Sequence, residues 1–382
     1  MSSTSGHIVD SLRASASART QSSRVQIWAF FGAALLIFQF WVWFQWITGP
    51  YFVTTPVGPS DPPMYMKLIL GANLAILLAG FPFAIWWFLV KPWRTERRIT
   101  LDGMLMVAMG LMVFQDPLLN YLNTWCTYNT WLPNWGAWTA HVPGWNTFEK
   151  PRAQVVEPIL NNGIGYSYGV LMIVMLGCKF MRKVKARWPG ISNLRLILVT
   201  YAAAIASDFV LEGLILLPAG MFSYPGAIRA VSVNAGTYYQ WPIYEGFMWG
   251  GVETALCCLR FFTDSQGRTL VERGLDDVRG GFAVQQMTRF CAIFAAVSAS
   301  FFFIYMVPVQ WFTMHADAWP EDVQKRSYFI GGICGEGTDR LCPNPALPVP
   351  SKRSGYINTE GRLVLPEGVE LPKVVPFERG GG

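Results

Sequence analysis

The chain has 382 residues, 52% hydrophobic and 15% aromatic, with only 14% charged, against roughly 25% charged in soluble domains. That balance excludes a soluble enzyme, and the absence of a polar bias, a glycine period or dense cysteines excludes disordered, collagen-like and disulfide-scaffold chains. The net charge of +6 needs no nucleic acid: no recognition motif accompanies it, and the basic runs at 91–98 and 182–187 adjoin apolar stretches, where anionic lipid headgroups attract them.

Residues 1–24 are rich in Ser, Ala and Arg without an apolar period and read as a disordered cytoplasmic segment. Apolar runs then follow at 25–47, 66–90, 101–122, 158–180, 196–219, 242–262 and 288–308, each near the 20 or so residues a helix needs to cross a bilayer. They predict an all-α integral membrane protein, a seven-transmembrane helix bundle over 25–308. The third run carries Gln115, Asp116 and Pro117 near its end and predicts a broken or re-entrant helix, tolerated only where protein or a wet cavity covers the freed backbone. Most Lys and Arg fall before the first run and between runs two and three, four and five, and six and seven. Positive residues in short loops stay inside, so the amino terminus is expected in the cytoplasm and the tail after 308 outside. In that tail, 309–345, Cys334 and Cys342 flank a glycine-containing loop on the oxidising side, which predicts a disulfide; Cys126 is the odd cysteine on that side. Residues 346–382 turn to Pro, Gly, Lys and Glu and read as a loosely ordered extension.

Acids inside or at the lip of spans are costly and usually mark a function. There are Asp116 in the third run, Glu157 at the entrance of the fourth, Asp208 and Glu212 in the fifth, and Glu245 and Glu253 in the sixth. Asp208 and Glu212, four apart, share one helix face. No Lys or Arg lies deep in a span to neutralise them, so some keep their protons beside ionised neighbours, the arrangement general acid–base chemistry uses. Catalytic candidates are therefore Asp116, Glu157, Asp208, Glu212 and Glu245. Polar and aromatic residues cluster around them and supply the substrate-binding candidates Asn120, Tyr121, Tyr128, Asn129, His141, Tyr166, Tyr238 and Tyr239, with Asn161, Asn162, Tyr168 and Tyr244 nearby. Together they outline an aromatic-walled cup in the outer half, open toward lipid or the outer surface. The three histidines, His7, His141 and His315, are far apart and outside the runs, so no metal site is expected; no phosphate loop, nucleophile elbow or zinc-protease helix is present.

Several strings, in order and spacing, resemble the bacterial AveC-like spirocyclase family: Phe114-Gln115-Asp116-Pro117, Thr127-Tyr128-Asn129-Thr130-Trp131, Glu157-Pro158, Asp208-Phe209-Val210-Leu211-Glu212-Gly213, Tyr224-Pro225-Gly226, Gly236-Thr237-Tyr238-Tyr239 and Trp319-Pro320-Glu321-Asp322. The resemblance runs from about Trp28 to Cys342. It implies a multi-pass protein of the bacterial plasma membrane and a cofactor-independent cyclase or dehydratase that closes a lipophilic, polyketide-like or terpenoid substrate through an oxocarbenium ion. Such chemistry wants an acid, a base and a water-poor chamber: Asp208 or Glu212 would donate a proton, Asp116 or Glu157 would act as base and cation stabiliser, and Tyr128 and Tyr238 would mould the chain. The expected partners are the lipophilic small molecule and membrane lipids, with no nucleic acid. A proton-coupled transporter or lipid-handling protein is the alternative the same acids allow.

Overall fold

A computed structural model describes residues 4–145, 152, 154–344 and 355–370. The chain is mostly helical, and its architecture follows from where long apolar stretches meet caps and prolines. The first helix, α1, covers Thr4–Thr48; it begins inside the segment expected to be disordered, where Ala and Arg favour helix and no Pro interrupts it. Then come α2 (Met64–Glu96), α3 (Leu101–Asn120), α4 (Ile159–Arg187), α5 (Asn193–Leu216), α6 (Ile243–Phe261) and α7 (Phe282–Met314). Thr100 caps α3 by accepting from the Gly103 amide at 3.3 Å, and Ser192 caps α5 by accepting from Arg195 at 3.3 Å, each satisfying an amide the first turn leaves free.

Six of these helices, all but α6, are long and apolar enough to cross a membrane. The sixth has 19 residues and carries Glu245, Glu253 and Arg260, yet it runs the length of the bundle. Its first turn meets the acids described below, and its last turn places Arg260 against Asp102 at the start of α3, with hydrogen bonds of 2.7 and 2.9 Å. Nearly a full helix circumference of α6 is buried, the pattern of an element enclosed by neighbours rather than one facing lipid. Helix α3 is the most deeply covered of the six apolar helices and α2 the least, so α3 and α6 form the centre while α1, α2 and α5 present apolar faces outward.

Three helices outrun their apolar runs, α4 ending at Arg187 instead of 180, α2 at Glu96 instead of 90 and α7 at Met314 instead of 308, the last two across a proline. Pro92 and Pro308 do not stop them because a wide, π-type turn precedes each, at Trp86–Val90 and Phe302–Met306. The altered register there absorbs the hydrogen bond that proline cannot make. A third such turn, Phe209–Leu216, precedes Pro218. The fourth, Gly165–Gly169, is bounded by glycines.

Helix α3 does break, as its Gln-Asp-Pro string predicts. Regular helix ends at Met112, and tight turns cover Val113–Gln115 and Pro117–Asn120 with Asp116 between them. The freed groups find partners: Trp138 Nε1 donates to the Phe114 carbonyl at 2.9 Å, and Gln310 Nε2 to the Leu119 carbonyl at 3.0 Å.

At the end of the bundle remote from Arg260, a short antiparallel ribbon pairs β1 (Thr127–Tyr128) with β2 (Phe222–Ser223). A second pairs β3 (Ser232–Val233) with β4 (Trp241–Pro242). The tail folds back on this end. Its short helices α8 (Glu321–Gln324) and α9 (Ser327–Ile330) pack with Trp319, Ile333, Cys334 and Cys342 around Tyr238 and Met66 as a separate apolar cluster. Cys334 and Cys342 are joined by a disulfide. The Tyr328 carbonyl accepts from the Thr130 amide at 2.8 Å, fastening the tail to the strand that follows α3. Of the extension, 355–370 form a hairpin, Tyr356–Ile357 with Leu363–Val364; 345–354 and 371–382 lie outside the described residues.

Candidate active site

Breaking α3 at Asp116 turns a carboxyl group into the bundle instead of leaving it on a helix face. Asp116 is buried, and one of its oxygens accepts from two phenols, Tyr128 at 2.7 Å and Tyr166 at 2.9 Å. Tyr128 reaches it from β1, Tyr166 from the wide turn of α4. Burial, reinforced by the Asp116 charge, pushes the Tyr128 phenol well above its usual range, so it remains a donor. Two charge-assisted hydrogen bonds on one oxygen favour the ionised carboxylate, each contributing roughly 1.5–3 kcal/mol.

Asp116 lines a cavity of about 260 Å³ that Glu212 of α5 and Glu245 of α6 also line. Tyr128, Tyr166, Tyr224, Trp249 and Tyr305 also line it, with Cys126, Phe222, a polar patch of Asn73, Asn161 and Asn162, and further apolar residues and glycines. Tyr224 donates to Glu212 at 2.8 Å, and burial together with that carboxyl group pushes its phenol well above the usual range. Tyr305 accepts from Trp125 Nε1 at 2.9 Å. Among the described residues, none of the ion pairs involves Asp116, Glu157, Asp208, Glu212 or Glu245. Acid chemistry therefore faces a chamber walled by aromatic rings and free of basic side chains.

Two expected acids stand one layer back. Glu157 is fully buried and joins the wall through amides: Asn162 donates to it at 2.6 Å, Asn161 donates to Asn162 at 3.0 Å, and Asn73 donates to Asn161 at 2.9 Å. Burial, with the Asp116 charge adding to it, pushes the Glu157 carboxyl well above the ordinary carboxylate range. Asp208 does not line the cavity; it lies behind Glu212 and Glu245, with one oxygen of each of the three acids within 4.8 Å of the others.

Of the eight expected binding residues, only Tyr128 and Tyr166 face the cavity. Asn120 is held by the chain it organises, accepting from the Trp125 and Cys126 amides at 2.7 and 3.0 Å. Asn129 likewise bonds the Gly220 carbonyl at 2.9 Å and the Trp131 amide at 3.1 Å. Tyr121 is 45% exposed and lies against Trp145. His141 packs edge-on against Tyr51, and partial burial lowers its pKa. Tyr238 donates to the Pro218 carbonyl at 2.9 Å inside the tail cluster, with Tyr239 against its ring. Proximity in sequence to an acid put these six on the expected wall; backbone capping and tail packing draw them away. Asn73, Tyr224, Trp249 and Tyr305 were missed. A polar residue inside the apolar run of α2 was the signal for Asn73, and the Tyr-Pro-Gly string for Tyr224. Nothing in the sequence singled out Trp249 or Tyr305.

The family model described as "Spirocyclase AveC-like" matches residues 96–329. The chain belongs to the AveC-like spirocyclase family. No curated protein and no solved structure matches it. The matched stretch of this AveC-like chain holds almost all of the cavity wall, from Asp116 to Tyr305, along with the ribbon that roofs it; of the wall only Asn73 and Leu77 lie before it.

Proposed function

We propose that this protein is a membrane-embedded cyclase that closes rings on a lipophilic, polyketide-like or terpenoid substrate by acid–base chemistry, with all seven long helices crossing the bacterial plasma membrane and the cavity in its outer half. The reading rests on one observation: carboxyl groups from three helices, Asp116, Glu212 and Glu245, face one aromatic-walled cavity with no basic side chain among its lining residues. Family membership supports the reaction class. Ring closure of a dihydroxy ketone begins with addition of one hydroxyl to the carbonyl. Glu212 or Glu245 gives a proton to the carbonyl oxygen, and the Asp116 carboxylate takes one from the attacking hydroxyl. Proton return to the resulting hydroxyl expels water and leaves an oxocarbenium ion, which the Asp116 charge and the faces of Tyr166 and Trp249 stabilise. The second hydroxyl adds and loses its proton to the acid that was spent. The net change is loss of one water, with no oxidant or reductant.

The cavity holds the reacting centre of such a molecule, not its whole length. One part of its wall is half-exposed: Leu77 of α2, Gly165, Gly169 and Ile173 of α4, and Leu211 and Leu216 of α5. A Cβ built on Gly165 or Gly169 meets nothing within 4 Å. Next to them, Ile76, Leu214 and Ile215 are among the exposed apolar side chains, so this gap opens sideways toward lipid and suits a substrate dissolved in the bilayer.

The test compares lipid extracts of cells carrying the wild type with those carrying Asp116→Asn, Glu212→Gln or Glu245→Gln, searching for compounds that differ by one water. Each substitution keeps shape while removing a proton carrier, and general acid–base catalysis supplies about 10²- to 10⁴-fold. Conversion is expected to fall by that factor in Asp116→Asn and in at least one Glu variant, at unchanged protein level; full conversion in all three removes the acid–base mechanism.

A further inference from the structure

Asp208 is a buried acid for which the ring-closing chemistry has no use. It is 2% exposed, and no hydrogen bond of good geometry reaches either of its carboxyl oxygens or Oε2 of Glu245, itself 1% exposed, although Trp241 Nε1 lies beside Asp208. Both belong with Glu212 to the cluster whose oxygens lie within 4.8 Å of one another. Glu212 accepts from the Tyr224 hydroxyl at 2.8 Å. Three carboxyl groups brought together in the interior without Lys or Arg need a compensating positive charge, whether as protons or as a metal ion. Asp208 brings an oxygen within 4.8 Å of both other acids, and an ion can bind all three at once where a proton joins only two.

We propose that Asp208, Glu212 and Glu245 bind one divalent cation of the hard, oxygen-preferring class, such as Mn²⁺ or Mg²⁺. The donor set is all oxygen, which selects that class over zinc or copper. Oxygens bound to one such ion stand no more than about 4.8 Å apart, and one oxygen from each of these acids lies within that distance of the others. The ion sits at the cavity wall, because Glu212 and Glu245 line the cavity while Asp208 closes the site from behind. That leaves positions open on the cavity side for a substrate carbonyl or hydroxyl oxygen. There its charge would polarise the carbonyl oxygen that Glu212 or Glu245 otherwise protonates, and Asp116 keeps its role as base. This consequence rests on the reading of the cavity as a reaction chamber; the binding itself does not. Sequence spacing hides the site, because Glu245 comes from a different helix.

The experiment uses the full chain in lipid nanodiscs, stripped with chelator and titrated with MnCl₂. Free Mn²⁺ is followed by electron paramagnetic resonance and bound metal is counted by mass spectrometry. One Mn²⁺ per chain is expected, with at least tenfold weaker binding in Asp208→Asn and in Glu245→Gln and unaltered binding in Asp61→Asn, a surface control. Thermal unfolding of the metal-free variants establishes that they are folded, and the wild-type stoichiometry decides without them. No bound Mn²⁺ in the wild type at millimolar metal, or equal affinity in the Asp208→Asn protein, overturns the site. Conversion by the stripped wild type separates the two proposals: turnover without any Mn²⁺ binding leaves the cyclase standing and removes the metal, whereas stoichiometric binding with no turnover does the reverse.

Discussion

Glu157 and Asp116 are both buried acids close to one cavity, yet their surroundings offer them different hydrogen bonds. Asp116 receives two phenol hydrogens, donors that hold a negative charge. Glu157 receives one amide hydrogen, and its second oxygen has no partner, so its neutral form is the cheaper one to bury. The raised pKa of Glu157 has a defined consequence for stability. The folded state binds its proton more tightly than the unfolded chain, so folding is favoured most below the ordinary carboxylate range and loses free energy as pH rises from there toward the folded pKa. Glu157→Gln keeps an oxygen for Asn162 and removes the titration. Thermal unfolding from pH 4.5 to 8 is expected to show a wild-type Tm that declines with pH and a flatter profile in Glu157→Gln; parallel profiles would contradict this.

The helices carry the route to the site. Gly165 and Gly169 sit on the wide turn of α4, where the lining is loosest, and added atoms there meet open space. Gly169→Phe should therefore start its side chain in the gap without a clash at Cβ, and a helical Gly replaced by another residue gains up to about 1 kcal/mol. Expected are an unchanged or higher Tm and conversion of a long-chain substrate reduced at least tenfold, with a short-chain analogue much less affected; equal loss for both would place the entrance elsewhere. Helix positions were readable from the sequence because apolar runs of bilayer length between basic loops have few other uses. The break at Asp116 was readable too, from proline after a polar pair. What could not be read was how the helices meet. Asp208 and Glu212 share a face by spacing, but the wide turn at Phe209–Leu216 begins between them, and only Glu212 reaches the cavity. Local capping duties of Asn120 and Asn129 compete with binding in a way that composition does not reveal. Asn73 arrives from a helix far away in sequence.

Across the whole molecule the two ends are built differently. The end bearing Arg260 is held by charge. Besides the Arg260–Asp102 pair, Glu272, fully buried, accepts from Arg289 of α7 and from the Thr269 amide. The cavity end is held by ring contacts, the β1–β2 ribbon and the tail, whose loop the Cys334–Cys342 bond closes. By loop-closure entropy that bond contributes about 2–3 kcal/mol, acting on the tail alone. Cys334→Ser with Cys342→Ser is expected to leave the bundle helical by circular dichroism while making 316–344 susceptible to limited proteolysis; a resistant tail would show that apolar packing alone suffices.

The strand that aims Tyr128 at Asp116 is propped from behind by Tyr328, through the carbonyl that takes the Thr130 amide. That prop leaves the ribosome only after all seven long helices have been made. A nascent chain thus has its acids in place before the tyrosine that orients one of them is secured, and the pocket matures only when the tail has followed the bundle out.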